Sequence, residues 1–495
     1  MKLMKKIELL LIFFMLVTAF VACNGTTDEE APEEENGAVD TENGEDEEAA
    51  AEDRETDVVI IGAGGAGLAA AIEAREAGNE VVIVEKMSFV GGNTLRATGG
   101  LNAAGTSPQE DLDIDDSWET HYEDTMTGGH DKNDPELVEI LTKNAPDAVE
   151  WLIGMGADLS DVGRLGGSSE NRTHRPTGGA AVGPHLVEVL RTNAEDEGVE
   201  ILTKTEAIEI LEEDGKASGV VVQNGEDEYM ISAKAVVVAT GGFGSNTTMI
   251  TDYDEDLEGF GTTNHPGAEG DGITMAQDIG AALIDMEEIQ THPTVNPEEN
   301  YMITEAVRGN GAILVNLEGE RFVNELDTRD VVSEATLEQT EGYSYLIFDH
   351  DLRESLSAIE SYVDRGLVIE GETLEELAEE LDMDAEALED TVTNYNGFVE
   401  SEEDADFGRE DLETTLDQGP YYAIAVGPAV HHTMGGLQIN ERGQVLNEEG
   451  DTIEGLYAAG ETVGGIHGAN RLGGNALADL MVFGRIAGQS IGEDL

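Results

Sequence analysis

Residues 56–86 read TDVVIIGAGGAGLAAAIEAREAGNEVVIVEK, and this segment constrains the fold more than any other part of the chain. Residues 58–61 and 81–84 are short apolar runs, which are typical of strands buried in a parallel sheet. Between them, residues 68–77 are rich in alanine and glutamate, a composition that favours a helix. The segment therefore predicts a strand–helix–strand unit of an α/β fold.

Three glycines and one acid indicate what this unit binds. Gly62, Gly64 and Gly67 follow the first strand at a spacing that lets the backbone turn sharply and approach a pyrophosphate at the helix N-terminus. Glu85 follows the second strand, where an acidic side chain can bond a ribose hydroxyl. The glycines alone could form a coincidental turn, but strand, glycine turn, helix, strand and acid in this order predict a dinucleotide-binding site.

Four more glycine-rich segments could bring the backbone close to the same ligand. They are GGNTLRATGG at residues 91–100, AKAVVVATGGFG at 233–244, EGLYAAGETVGG at 454–465 and GANRLGG at 468–474. The second and third contain apolar runs that predict buried strands. The fourth leads into a helix at Asn475, whose first amides could bond an electron-rich ring oxygen.

Basic residues are scarce and unevenly placed. The chain has 25 Lys plus Arg against 107 Asp plus Glu, and no lysine follows Lys234, yet Arg308, Arg321 and Arg329 fall within 22 residues. A guanidinium group presents a fixed pair of donors that matches a carboxylate, and it stays charged when partly buried. We therefore expect Arg308, Arg329 and Arg471 to face a ligand rather than an acidic surface. Arg321 is expected to be a structural ion-pairing residue.

The formal net charge of −82 limits the partners and the medium. Self-repulsion on this scale destabilises a compact state unless salt screens it, and the Debye length falls from about 8 Å at 0.15 M to about 3 Å at 1 M. We therefore expect a surface adapted to a very salty medium. No local acidic motif supports the alternative, a protein that binds cations or basic partners. Nucleic acid is not expected as a partner, and no metal-ligand spacing is present.

The N-terminus is expected to direct the protein out of the cytoplasm. Residues 1–22 carry three lysines and then an apolar run, the layout of a signal peptide. Cys23, the only cysteine, follows FVA, a sequence that resembles a bacterial lipoprotein processing site, so we expect a lipid at Cys23 and attachment to the cell membrane. A plain signal peptide or an uncleaved anchor is the alternative. Residues 23–54 are acidic and almost without large apolar residues, and they are expected to form a disordered tether.

From about residue 57 to its end, the chain resembles the soluble fumarate reductases of the flavocytochrome c type and their relatives that reduce other 2-enoates. These belong to the fumarate reductase and succinate dehydrogenase flavoprotein superfamily. The glycine motifs are shared across the superfamily, and the more specific segments are THPT, ITEAVRG, TRD, HHTMGG and GANRLGG. The resemblance implies a Rossmann-like FAD-binding domain at residues 55–286 and 432–495. An inserted α+β capping domain, the clamp, would occupy residues 287–431 and close over the flavin.

FAD is the cofactor that the resemblance implies. Only one GxGxxG is present, so no second, NAD-binding domain is expected. Without a CxxCH motif the chain would attach no c-type haem, and one cysteine cannot build an iron–sulfur cluster. Asn93 stands where membrane-bound relatives carry a histidine that bonds the flavin, so we expect non-covalent FAD and an external electron donor, a quinol-linked membrane cytochrome or flavoprotein. The expected cofactor-binding residues are Gly62, Gly64, Gly65, Ala66, Gly67, Glu85, Lys86, Gly92, Asn93, Thr94, Gly99, Gly100, Thr240, Gly241, Asp271, His432, Glu461, Asn475, Ala476 and Leu477.

The resemblance also implies how a small dicarboxylate would be held. One carboxylate would contact His292, Thr304 and Glu305. The other would contact His431 and Arg471, while Met302 would press on the substrate and twist it. Cationic groups are needed here because the transition state of conjugate reduction is enolate-like.

Arg329 would donate the proton, and Arg308 and Glu305 would return one to it. An arginine acid conflicts with the general rule that arginine keeps its proton in proteins. A dry pocket and the neighbouring Arg308 charge would have to lower the proton affinity of Arg329.

The expected function is extracytoplasmic, FAD-dependent reduction of fumarate or a similar 2-enoate in anaerobic respiration. The alternatives are a reductase of urocanate, acrylate, methacrylate or cinnamate, a flavin dehydrogenase of a neutral ketosteroid, and a surface lipoprotein that only binds its ligands. Clustered arginines would serve no purpose for a neutral steroid.

Several basic residues remain outside this scheme. Arg172, His174 and Arg175 could border the flavin or pair with surface acids, and the sequence leaves both possibilities open. The remaining histidines are expected to be satisfied core or surface groups: His121, His130, His185, His265, His350 and His467.

Overall fold

The computed structural model describes residues 52–412 and 414–495. The signal peptide, Cys23 and the tether up to residue 51 lie outside the described residues. The first strand, β1, is Arg54–Glu55, and Arg54 pairs with Ile231. The tether predicted to reach residue 54 therefore ends before Arg54, because this residue already belongs to the sheet.

The α-helices of the described residues are distributed along the whole chain. They are α1 Gly65–Glu76, α2 Ser107–Asp111, α3 Trp118–Gly128, α4 Pro135–Gly154, α5 Val182–Asp196, α6 Thr247–Tyr253, α7 Asp271–Asp278, α8 Ala306–Gly309, α9 Arg329–Leu337, α10 His350–Ser355, α11 Ala358–Asp364, α12 Leu374–Glu380, α13 Ala385–Ser401 and α14 Asn475–Asp494.

The strands form two large sheets and two small ones. After β1 they are β2 Val58–Ile61, β3 Val81–Glu85, β4 Leu101–Asn102, β5 Asp161–Gly163, β6 Thr173–Arg175, β7 Glu200–Thr203, β8 Glu206–Glu213, β9 Lys216–Asn224, β10 Asp227–Ser232, β11 Ala235–Val238, β12 Leu283–Ile284, β13 Ile289–Asn296, β14 Tyr301–Met302, β15 Ile313–Val315, β16 Ser344–Phe348, β17 Val368–Gly371, β18 Tyr421–Thr433, β19 Gly436–Leu437, β20 Gln444–Leu446 and β21 Thr452–Ala458.

The first large sheet has a parallel core in the order β21-β11-β2-β3-β7. Its central strands β2 and β11 are apolar and fully buried, as expected for parallel strands covered on both faces. The predicted strand–helix–strand unit is confirmed, but α1 begins at Gly65, three residues before the predicted start.

Two glycines explain the tight turn between β2 and α1. Gly62 has φ +104°, and a Cβ there would lie 2.4 Å from the carbonyl oxygen of Ala239. A Cβ at Gly67 would lie 2.1 Å from the carbonyl oxygen of Gly62. Since real Cβ atoms do not approach so closely, only glycine allows the first turn of α1 to sit against the strand ends.

The second large sheet is antiparallel, in the order β14-β13-β18-β16-β15 with β17 beside β18. Apolar side chains of α9, α10 and α11 pack on one face, and those of α12 and α13 pack on the other. The strand β18 runs without interruption across the predicted domain boundary between residues 431 and 432. The exact boundaries therefore stay a prediction.

Candidate active site

A cavity of about 760 Å³ lies at the carboxyl ends of β2, β3, β11 and β21, where the second sheet meets the first. Ligands of open α/β sheets bind at this edge. Of the predicted site residues, all but three line the cavity. The three exceptions are Gly67, Arg308 and Asn475.

Each exception has a physical reason. Gly67 packs against Gly62 within the turn. Arg308 lies behind Glu305, with one guanidinium nitrogen 3.8 Å from a carboxylate oxygen of Glu305. Asn475 is fully buried and its side chain bonds within the protein, and its assignment to the cofactor stays a prediction.

The side chain of Asn475 is held by groups that surround the start of α14. Its Oδ1 accepts from Asn102 Nδ2 at 2.8 Å and pairs with His121 Nε2 at 3.0 Å, while its Nδ2 donates to Thr125 Oγ1 at 2.9 Å. The N-cap Gly474 offers no side-chain acceptor. The N–H of Asn475 donates to the carbonyl oxygen of Leu472 at 3.3 Å, whereas Ala476 and Leu477 line the cavity, so the amides of these two residues are the ones available to a ligand.

Glu85 is fixed by backbone amides at the other end of the cavity. Its carboxylate accepts from the N–H groups of Ala63 at 2.9 Å and Met87 at 2.8 Å. Lys86 next to it forms ion pairs with Glu269 and Asp271. These contacts place an oriented acid beside the glycine turn, as the predicted ribose site requires.

Asn93 joins three parts of the wall. Its Nδ2 donates to Asn264 Oδ1 at 2.6 Å and to Glu461 Oε2 at 3.1 Å, and its Oδ1 accepts from the N–H of His265 at 2.7 Å. Thr94 Oγ1 accepts from the N–H of Gly65 at 3.0 Å. The segment 91–100 is therefore tied to α1 and to the strand ends.

His432 is the buried polar group of the cavity that lacks partners. It is 3% exposed, and neither ring nitrogen has a hydrogen-bond partner among the described residues. Its Nδ1 lies 3.2 Å from Glu461 Oε1, while burial and the Arg471 charge hold the pKa of His432 well below its ordinary value. Burial also raises the pKa of Glu461. A neutral, unpartnered imidazole and the uncapped α14 fit a bound FAD, which would supply polar ring atoms at this place.

Arg329 and Glu305 lie at the end of the cavity where the predicted substrate residues are. Arg329 Nε donates to Glu305 Oε1 at 2.5 Å, and Arg329 Nη1 donates to Gln290 Oε1 at 3.0 Å. Arg329 opens helix α9 after the N-cap Thr328. The structure therefore brings the predicted proton donor and its predicted partner into contact.

Arg471 approaches the same place from the loop before α14. It is 5% exposed, and no carboxylate of the described residues lies within 4.0 Å of its guanidinium group. Burial and the nearby Arg329 charge lower the pKa of Arg471 to about 9. The buried cation lacks an anionic partner, and a bound carboxylate would stabilise it.

His292 and His431 lie face to edge, with ring centroids 5.0 Å apart. Burial and the Arg329 charge hold the pKa of both imidazoles well below its ordinary value, so both are neutral. His292 Nδ1 accepts from the N–H of Thr294 at 3.3 Å, which places its proton on Nε2, 3.7 Å from Glu305 Oε1. The register shift of β13 after His292 helps to turn this ring inward.

Gln290 is a residue that the sequence did not reveal. Its Nε2 donates to the carbonyl oxygen of Arg471 at 2.8 Å and to Asn470 Oδ1 at 2.5 Å, while its Oε1 accepts from Arg329. Gln290 thus links Arg329 to the Arg471 loop. The one available indication was its position, since Gln290 is a polar residue two positions before His292 on the same strand.

A buried ionic cluster supports Arg308 from behind. Glu325 is fully buried and accepts from Arg321 at 2.8 Å and from Arg409 at 3.2 Å. Arg409 donates to the carbonyl oxygen of Arg308 at 2.9 Å, and Arg308 Nη1 donates to the carbonyl oxygen of Glu325 at 2.6 Å. The prediction that Arg321 is a structural ion-pairing residue is confirmed. Arg409 was missed because Glu325 and Arg308 are distant from it in sequence, and Glu325, four residues after Arg321, was missed because the sequence does not show that this acid is buried.

Arg172, His174 and Arg175 do not line the cavity. Arg172 is fully buried and pairs with Asp116 at 3.0 Å and Asp124 at 2.9 Å, and Arg175 pairs with Asp161. His174 bonds Thr106 Oγ1 at 2.7 Å. The open question about this segment is thus answered in favour of pairing with acids.

Two searches within the described residues gave no site of another kind. No cluster of three or more His, Cys, Asp or Glu side chains has the arrangement of a metal site. None of the described helices has both the length and the apolar character needed to span a bilayer.

Comparisons with known proteins agree with this geometry. The FAD binding domain family matches residues 57–477. Fumarate reductase (cytochrome) of Shewanella frigidimarina is 49% identical over 435 residues, which cover 88% of this chain and 76% of that protein. NADH:fumarate oxidoreductase of Klebsiella pneumoniae is also 49% identical, over 87% of this chain and 47% of that protein. The solved structure of the open conformation of a flavocytochrome c3 fumarate reductase has 42% identity and a TM-score of 0.78, covering 89% of this chain and 78% of that one.

The chain belongs to the FAD binding domain family and, within it, to the fumarate reductase flavoproteins. The resemblance stated from the motifs and the FAD-binding α/β fold are confirmed. The roles of the individual side chains stay predictions.

Proposed function

We propose that this protein reduces the carbon–carbon double bond of fumarate to give succinate. The observation that carries the proposal is the convergence of Arg329, Glu305, Arg471, His292 and His431 at one end of the cavity that the dinucleotide turns line. Imidazole groups from β13 and β18 and guanidinium groups from α9 and from the loop before α14 meet beside the expected flavin site. This arrangement suits a small, doubly charged, unsaturated acid.

The two ends of the substrate would meet different groups. Arg471, which lacks a carboxylate partner, would bind one carboxylate together with His431. The protonated Nε2 of neutral His292 would donate to the other carboxylate, with the Thr304 hydroxyl beside it. Since the groups stand at opposite sides of a small space, they would orient the double bond, and Met302 on the wall would limit its freedom.

Arg329 would protonate the substrate. Bound reduced FAD supplies a hydride to one carbon of the double bond. Arg329 donates a proton to the adjacent carbon, and the π electron pair forms the new C–H bond. Glu305 and Arg308 then return a proton to Arg329.

The charged groups around Arg329 suit a relay of protons. Burial lowers the pKa of Arg308, and burial with the Arg329 charge lowers that of Arg471. Glu305 stays ionised among them, since the Arg329 and Arg308 charges hold the pKa of its carboxyl below its ordinary value although burial opposes the shift.

The cellular setting completes the proposal. FAD would be bound without a covalent link, because Asn93 has no ring nitrogen to bond the flavin. Electrons would come from an external donor, a quinol-linked membrane cytochrome or flavoprotein, in anaerobic respiration. A signal peptide and a lipid on Cys23 would hold the protein outside the cytoplasm at the cell membrane, in a salty medium.

Other substrates fit the cavity less well. Acrylate, methacrylate, urocanate and cinnamate each have one carboxylate. Each would therefore leave either His431 and Arg471 or His292 without a carboxylate partner. A neutral ketosteroid would leave buried charges unpaired at both ends, which is costly.

A substrate screen tests the proposal. The FAD-loaded protein would be supplied with reduced viologen, without oxygen, across a series of salt concentrations, and each acid would be offered in turn. We expect fumarate to be reduced to succinate with a higher kcat/KM than acrylate, methacrylate, urocanate or cinnamate. Preference for a monocarboxylate or for a neutral 3-ketosteroid, or absence of turnover with any of them, would refute the proposal.

A further inference from the structure

Three arginines of the cavity wall have no acidic partner in a protein where acids abound. Eleven of the sixteen arginines lie within 4.0 Å of a carboxylate of the described residues. Of the other five, Arg75 donates to two carbonyl oxygens and Arg164 is exposed away from the cavity. The remaining three, Arg96, Arg365 and Arg471, all line the cavity. Arg471 belongs to the site described above, but Arg96 and Arg365 have no assigned task.

Arg96 is tied to the substrate end of the cavity. Its Nη1 donates to the carbonyl oxygen of Thr263 at 3.1 Å. The hydroxyl of Thr263 in turn pairs with His431 Nδ1 at 2.7 Å. Burial lowers the pKa of Arg96, and the neighbouring Tyr301 hydroxyl acts in the opposite direction. Arg96 is therefore linked to His431 through Thr263, and no carboxylate of the described residues lies within 4.0 Å of its guanidinium group.

Arg365 comes to the same place from the second sheet. It follows the last residue of α11, and its guanidinium carbon lies 4.0 Å from the centre of the Tyr301 ring. Tyr301 and Met302 make up β14. Both arginines are exposed and line the cavity. Arg96 belongs to the segment 91–100 and Arg365 follows α11, so the two charges reach the cavity from different parts of the chain.

We propose that Arg96 and Arg365, with Tyr301 between them, form a vestibule that receives the dicarboxylate before it reaches Arg329 and Arg471. The proposal rests on the proposed function, since it assigns a path to the same substrate. It adds a carboxylate-binding station outside the reacting centre.

The net charge supplies the physical need. A protein of charge −82 repels a dianion, and the repulsion slows encounter. Two guanidinium groups that no acid neutralises create a local positive potential, and the low-dielectric walls of the cavity focus it.

A competing role is to hold the pyrophosphate of FAD. The bond of Arg96 to the carbonyl oxygen of Thr263, whose hydroxyl reaches His431, favours the dicarboxylate, although Thr94 of the same segment accepts from the N–H of Gly65 at the start of α1. Retention of FAD in the variants distinguishes the two roles.

Stopped-flow binding of malonate tests the vestibule. Malonate is a dicarboxylate without two adjacent CH2 carbons, so the enzyme cannot oxidise it to an alkene. Its binding to the holoenzyme would be followed by the absorbance of oxidised FAD. The variants are Arg365→Gln, Arg96→Gln and Arg365→Lys. The control, Arg191→Gln, makes the same charge change at an exposed pair with Glu195 outside the cavity.

We expect the association rate constant to fall about threefold to tenfold in each glutamine variant. The dissociation rate constant, the FAD content and kcat at saturating fumarate should stay within about twofold, and Arg365→Lys and Arg191→Gln should bind malonate at the wild-type rate. The defect should shrink as salt rises, within the range where the protein is folded.

The failures can be told apart. Wild-type protein that does not reduce fumarate would refute the proposed function. Wild-type turnover with an unchanged association rate constant in Arg365→Gln, or loss of FAD from Arg96→Gln, would overturn the vestibule alone.

Discussion

Arg329 Nε lies 2.5 Å from Glu305 Oε1, and this contact joins the first residue of α9 to the residue just before α8. The carboxylate occupies the Nε side of the guanidinium group. Nη1 donates to Gln290. Nη2 has no hydrogen-bond partner among the described residues, so Nη2 is the group that can deliver a proton to a ligand. The pair therefore orients an acid rather than neutralising it completely.

The variant Arg329→Lys should lose nearly all turnover, by about a hundredfold to ten-thousandfold, which is the usual contribution of a positioned acid. A lysine keeps the charge but cannot reach Glu305 and the substrate with a planar pair of donors. FAD content and dicarboxylate affinity should change little, as measured by flavin absorbance and malonate titration. Full activity in this variant would remove Arg329 from the role of proton donor.

Stability should fall as the pH drops from 7 to 5. Burial lowers the pKa of His121 to about 4, although its bond to Asn475 opposes the shift. An unfolded histidine takes up a proton near pH 6.5, so below that pH the unfolded state binds more protons than the folded state. His121 alone would then contribute a loss of about 2 kcal/mol at pH 5.

Denaturant unfolding at fixed salt measures this loss. The buried, neutral His292 and His431 should add to it, so the wild type should lose more than His121 alone accounts for. In His121→Gln the dependence of unfolding free energy on pH should be shallower. Identical slopes in the two proteins would contradict the account of His121.

Removal of Glu325 should destabilise the second sheet. Glu325→Ala would leave Arg321 and Arg409 as buried cations without this partner, a change that usually costs about 3–5 kcal/mol. Glu360→Ala is a matched control, because it removes the partner of Arg353 at an exposed pair and should cost far less. Denaturant unfolding of both variants compares them, and equal losses would show that the buried cluster has no special importance.

Low salt should unfold or inactivate the protein. The formal net charge is −82, so the acidic side chains repel one another. Salt screens this repulsion, because the Debye length falls from about 8 Å at 0.15 M to about 3 Å at 1 M. The melting temperature should therefore rise with KCl concentration, whereas an uncharged osmolyte at equal osmolality should not reproduce the screening. Stability in dilute buffer equal to that in molar salt would discard the adaptation to a salty medium.

Local features of the sequence predicted local features of the structure well. Gly67 packs against Gly62, and Glu85 accepts from the N–H of Ala63, within one short unit, and this unit folds as predicted. The start of α1 was misjudged by three residues, because Gly65 and Gly67 have weak helix propensity and are held in the helix by packing.

Features that depend on distant partners could not be predicted in the same way. Gln290 contacts Arg329 and Arg471, and Arg409 contacts Glu325 and Arg308, across separations that range from 39 to 181 residues. No spacing rule connects such positions. The arginine cluster itself was recognised because its composition contrasts with the rest of the chain.

A crystal structure of the FAD-loaded protein with a bound dicarboxylate tests the central claim most directly. The account predicts one carboxylate within hydrogen-bonding distance, about 2.7–3.2 Å, of the Arg471 guanidinium group and the other within that distance of His292 Nε2. Arg329 should face the ligand next to the isoalloxazine ring. A dicarboxylate bound elsewhere, with these guanidinium groups turned away from the flavin, would contradict it.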